Sequence, residues 1–177
     1  MQVNNKCLGL SCPQALDGDL MCMQCKCKED VPTGLCFELH CTPTAQQRPR
    51  HMTTHSGIHR AYKSGSQKAN ERTLEAMLMP HVPKMALEGA LELQFVASLP
   101  VPSSVTKRQR EAMLCGKIRP TVKPDLDNVT KQLKDSMTRM HFWHDDKQVV
   151  RMVCEKVYAE CGMWAVTVRV IGEGRQK

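Results

Sequence analysis

The sequence contains no apolar run approaching the roughly 18 residues that a membrane span needs. Its N-terminus also lacks a basic flank followed by an apolar block, so no export signal is read there and a soluble, cytoplasmic protein is expected. Missing too are a glycine-rich nucleotide-binding loop and a nucleophile triad, which directs the search for chemistry elsewhere. Cysteine is scarce beyond residue 41: seven of the ten lie within the first 41 residues, and only Cys115, Cys154 and Cys161 follow. Without a signal peptide these thiols are read as reduced rather than as a disulfide framework.

What is present fits one domain with an extension. The 177 residues suffice for a single real core. Residues 1–34 form a Cys-rich N-terminal extension without helical or strand period, read as disordered or zinc-binding, and residues 35–177 form the folded domain. Net charge is +7, with −1 on the first 35 residues and +8 on the rest, so the basic surplus belongs to the folded part and points to a polyanionic partner. In the extension Cys22 and Cys25 have the C-x-x-C spacing of a Zn²⁺ knuckle, while Cys7, Cys12 and Cys27 fit it loosely. A second zinc pattern, Cys36, Cys41, His51 and His55, has too short a gap between its pairs for a ββα finger.

Leu35–Cys41 alternates as a first strand, followed by a polar loop over Pro43–His59. Arg48, Arg50, His51, His55, His59 and Arg60 suit that loop to a phosphate backbone. Ser64 or Ser66 caps a helix running to about Met79, with Ala69, Thr73, Ala76, Met77 and Met79 on its inner side. Gly89–Ala97 reads as a strand burying Leu91, Leu93 and Phe95, ended by Pro100 and Pro102. A short basic helix over Ser104–Leu114 carries Lys107, Arg108 and Arg110, and Lys123 continues the positive charge toward the acidic motif. Lys147–Tyr158 and the run from Trp164 to Val170 read as an antiparallel hairpin turning at Glu160-Cys161-Gly162. In the first of these strands Val150, Met152 and Cys154 share one face and Val149, Val153 and Val157 the other. The fold class is α+β: a mixed, largely antiparallel sheet packed against helices.

The sharpest signal lies between these elements. Leu126, Val129, Leu133, Met137 and Met140 recur at offsets of three and four, the stripe of a helix burying one face. Asp125 and Asp127 stand at its start and Asp145 and Asp146 after its end. One aspartate at a helix N-terminus is ordinarily a cap, but capping does not account for two pairs. Four carboxylates brought together are the ligand class of a hard divalent ion such as Mg²⁺, which would also relieve their mutual repulsion. Lys131 is placed either to touch a scissile phosphate or to pair with Asp127 one turn back.

The order Lys123-Pro124-Asp125-Leu126-Asp127-Asn128, then Lys131 and Asp135, then Trp143-His144-Asp145-Asp146-Lys147-Gln148-Val149-Val150 and Lys156-Val157-Tyr158, closely resembles the RusA family of Holliday junction resolvases. Gln47-Arg48-Pro49-Arg50 resembles the family's basic segment after the first strand, and the resemblance extends over Leu35–Ile171. It implies a homodimeric endonuclease, dependent on Mg²⁺ or Mn²⁺, that places symmetric nicks in branched four-way DNA during recombination and repair. It further implies a bacterial cytoplasm, or that of a host if the gene is viral. Family metal ligands correspond to Asp125, Asp127 and Asp146, with Asp145 adjacent and the choice between those two open; the family lysine corresponds to Lys131. Arg48, Arg50, Lys107, Arg108, Arg110 and Lys123 are the expected DNA contacts. The rival readings are a zinc-dependent DNA-binding module built on the extension and a junction-binding protein without catalysis.

Overall fold

The computed structural model describes residues 34–47, 50–53, 57 and 59–172, with nothing said of the side chains of residues 50 and 51. The zinc patterns at Cys22 and Cys25 and at His55, and the basic residue Arg48, therefore lie outside the described residues. Among the described residues six strands and three α-helices follow in the order β1 (Gly34–Leu39), β2 (Arg50–Thr53), β3 (His59–Tyr62), α1 (Gly65–Leu78), β4 (Ala90–Pro100), α2 (Lys107–Leu114), α3 (Leu126–Arg139), β5 (Val149–Ala159) and β6 (Met163–Gly172). Four strands form one sheet in the order β1-β6-β4-β5, antiparallel except for the β4/β5 pair, and β2 and β3 form a separate hairpin. The α+β class with a mixed, largely antiparallel sheet is thus as expected.

One sheet face carries the core. Leu91, Leu93, Phe95 and Ala97 of β4, Trp164, Val166 and Val168 of β6, and Phe37 and Leu39 of β1 are buried together against α1 and α3. Helix α3 contributes Val129, Leu133 and Met137, the stripe read from the sequence. Trp143 is buried beside Phe142, and its indole N–H donates to Thr138 Oγ1 at 2.7 Å. Gly162, in the link between β5 and β6, is a position where only glycine fits: a Cβ there would stand 2.5 Å from Thr42 Cα.

Several expectations are corrected. Strands β5 and β6 do not form a hairpin, because β4 lies between them, antiparallel to β6 and parallel to β5. Parallel pairing needs a long crossover, and the chain between β4 and β5 provides it with α2 and α3. A register shift sets Leu91 opposite Val149 and Glu92 opposite Arg151, so Val150 is an extra residue. Val149 consequently packs on the core with Cys154, and Val150 is 64% exposed. The polar loop after β1 contains the β2/β3 hairpin, whose four-residue strands Arg-His-Met-Thr and His-Arg-Ala-Tyr carry no apolar alternation to announce them. Strand β4 also runs on through Leu99 to Pro100.

Helix α1 begins as expected at Ser64, whose hydroxyl accepts from Gln67 N–H, but its inner face is different. Gln67, Leu74 and Leu78 are buried, whereas Ala69, Thr73, Ala76, Met77 and Met79 face outward. Leu74 and Leu78, one turn apart, decide the rotation, and Gln67 joins them because its amide is hydrogen-bonded to Glu71 and to Gln47 N–H. Leu78→Ala should therefore cost about 2–5 kcal/mol in urea unfolding, while Met77→Ala should stay within about 0.5 kcal/mol of the parent.

Candidate functional site

The polar face of α3 organises the site. Asp125 is its N-cap by backbone geometry (φ −71°, ψ 139°), yet its carboxylate makes no capping hydrogen bond. Asp125 and Asp127, the latter in the first turn, are both exposed. The preceding turn is held by β5: Lys156 Nζ donates to the carbonyls of Val122 at 3.0 Å and Pro124 at 2.8 Å. Lys131 is exposed one turn beyond Asp127, and among the described residues no ion pair joins it to Asp127 or to any other acid. Lys134, which sequence reasoning did not single out, continues this face and pairs with Asp146 at 3.5 Å. Its spacing of seven from Asp127 was the available signal.

The second acidic pair stands on a single turn of 3₁₀-helix, Asp146–Gln148. Asp145 is the cap: it accepts from Lys147 N–H at 3.0 Å and pairs with Lys147 Nζ at 3.0 Å. The backbone hydrogen bond from Lys147, followed by that side chain, holds the Asp145 carboxyl below the usual carboxylate range. Gln148 locks the turn in place, accepting from the N–H groups of His144 at 2.8 Å and Asp145 at 3.1 Å and donating to the carbonyls of Leu87 at 3.0 Å and Gly89 at 3.3 Å. Both donors and both acceptor positions of its amide are used.

Lys134 stands two turns, about 10 Å of helix rise, beyond Asp127, and its ammonium is within ion-pair distance of Asp146. Among the described residues no three His, Cys, Asp or Glu side chains are close enough to hold one metal ion. Asp145 is committed to its cap.

The basic elements are divided. The stem of the β2/β3 hairpin is tied to α3: Gln46 N–H donates to Asn128 O at 3.1 Å, Gln46 Nε2 to Asp135 at 3.0 Å, and Gln132 Nε2 to Thr44 Oγ1 at 2.9 Å. Lys63 closes the other strand onto α1 through Glu71 at 2.8 Å. Arg50 and the exposed Arg60 are thereby carried on a hairpin anchored beside the α3 face. Lys123 is exposed just before Asp125. Helix α2 lies instead toward the far end of β5 from Asp146: Arg110 is paired with Glu160, while Lys107 and Arg108 are exposed.

A curated protein of Lactococcus phage r1t, "Crossover junction endodeoxyribonuclease rusA", is 32% identical over 124 residues, covering 70% of this chain and 87% of that protein. "Uncharacterized protein YqaN" of Bacillus subtilis (strain 168) is 30% identical over 137 residues, covering 76% of this chain and 95% of that one. The family profile described as "Endodeoxyribonuclease RusA" matches residues 40–170, a span that begins just after β1 and takes in the anchored hairpin, both acidic pairs, Lys131, β4, β5 and most of β6, and the chain belongs to that family.

Proposed function

We propose that this chain is a metal-dependent endonuclease that resolves four-way DNA junctions by paired, symmetric nicks. The observation that carries the reading is the start of α3, where two exposed carboxylates make no capping bond and a lysine one turn on has no acidic partner among the described residues. Ordinary helix capping would spend Asp125 on backbone N–H groups, and an ordinary surface pair would join Asp127 to Lys131. Neither is found, which leaves both groups available to solvent, ion and substrate.

The donors suit Mg²⁺ or Mn²⁺. Such an ion takes one or two carboxylates together with waters and phosphate oxygens, and Asp125 and Asp127 are hard oxygen donors of that kind. When bound, it would polarise the scissile phosphate and lower the pKa of an attacking water. Asp146 is assigned in preference to Asp145 as the third acidic residue, because the Asp145 carboxylate is occupied by Lys147. Lys131 neutralises charge that develops on the phosphate or the departing oxygen, and Lys134 holds Asp146 on the same face.

Branched DNA approaches along the basic hairpin, with Arg50, Arg60 and Lys123 on its phosphates. Two cuts related by the junction's two-fold symmetry call for two sites related in the same way, so the active form is a homodimer. Its place is in recombination and repair.

Asp127→Asn should lower cleavage of a labelled four-way junction by about 100-fold or more while binding in chelator is kept. Loss of binding together with cleavage would contradict the role given to Asp127. Matched linear duplex should remain uncut under both metals. Junction affinity should fall about 1,000-fold between 50 and 200 mM salt if at least six phosphates are contacted, measured by fluorescence anisotropy.

A further inference from the structure

We propose that Lys156 of β5 is a positioning residue for divalent-metal binding, acting through the turn that presents Asp125 and Asp127; the inference rests on the nuclease reading above. Lys156 is half-buried, and among the described residues no carboxylate lies in ion-pair range of its ammonium. It binds two backbone carbonyls instead, those of Val122 at 3.0 Å and Pro124 at 2.8 Å, on either side of Lys123. Charged donors make the stronger hydrogen bonds to neutral acceptors, and this side chain applies two of them to the three residues before the N-cap.

The placement has a consequence for the carboxylates. Asp125 has no side-chain bond of its own to the helix, so where its carboxylate stands is set by its backbone, held on one side by the bond from Val129 N–H to its carbonyl and on the other by the preceding turn. Before that turn the chain is held by the buried Pro120 and the exposed Arg119–Glu155 pair. Lys123 is exposed, and among the described residues no backbone hydrogen bond outside helices and strands involves residues 119–124. Lys156 itself sits on a strand paired along its length with β4, opposite Ala97. Lys156 thus ties the turn itself to the sheet, much as a group outside the ligand set orients a metal ligand, while the exposed Arg119–Glu155 pair links the chain to β5 three residues before Val122.

The test is Mn²⁺ binding to the full chain, followed by electron paramagnetic resonance, beside junction cleavage over a range of Mn²⁺ concentrations. Lys156→Met keeps length and apolar stem but removes the donors. It should weaken Mn²⁺ binding about 10-fold and raise the Mn²⁺ needed for half-maximal cleavage by the same factor, with junction affinity in chelator unchanged. Lys156→Arg, which restores charged donors, should recover most of the loss. Should the methionine variant fail to fold, Lys156→Gln, a shorter neutral donor, is expected to fall between Arg and Met. Mn²⁺ affinity within twofold of the parent in a folded Met or Gln variant, even one with a lowered melting temperature, would overturn the proposal and leave Lys156 a stabilising residue only. If the unaltered protein binds no Mn²⁺ and cuts no junction, the nuclease reading fails and this inference with it. If it does both, and Asp127→Asn loses both while Lys156→Met loses neither, only the positioning role is wrong.

Discussion

The burial of one side of α3 on the sheet is the constraint from which the site follows. Val129, Leu133 and Met137 are driven into the face formed by Leu93, Phe95 and Val166, and each such side chain gains about 1.5–3 kcal/mol by leaving water. A helix has only one rotation that buries such a stripe, so the same energy turns Asp127, Lys131 and Lys134 outward together. Charged groups that contribute little to stability are thus held by packing in which they take no part.

Around this helix the polar interactions are arranged to fix backbone rather than to pair surface charges. Gln148 binds four backbone groups, Lys156 two, and Gln46 ties the stem of the basic hairpin to both ends of one α3 segment. Partly buried side-chain bonds of this type are costly to leave unmade, which makes them effective at holding one geometry. The exposed ion pairs Arg110–Glu160 and Arg119–Glu155, by contrast, are screened by solvent and add little. The acidic groups are therefore supported by elements on three sides: β5, the lead-in to β4, and the hairpin stem.

Much of this was legible before any coordinates. The α3 stripe, the Ser64 cap and the inward residues of β4 all follow from local periodicity and capping chemistry, which act over one or two turns. The family resemblance rested on the same region, because its motifs are short and contiguous. Where the reading failed, no local signal existed. The β2/β3 strands are short and exposed, the outward methionines of α1 are as apolar as core residues, and the insertion of β4 between β5 and β6 is a matter of long-range pairing.

By itself, then, the sequence determined which residues are chemically able to act: Asp125, Asp127, Asp146 and Lys131, a basic surplus around them, and the helix that carries most of them. Only the tertiary structure decided how they are used. It committed Asp145 to a cap, set Asp146 beside Lys134, anchored the basic hairpin to α3, and recruited Gln148 and Lys156 as braces. The reason is physical: residue type and helical spacing are properties of neighbouring positions, whereas the partners of a side chain depend on strands and turns far away in the chain that only the packed core brings within hydrogen-bond reach.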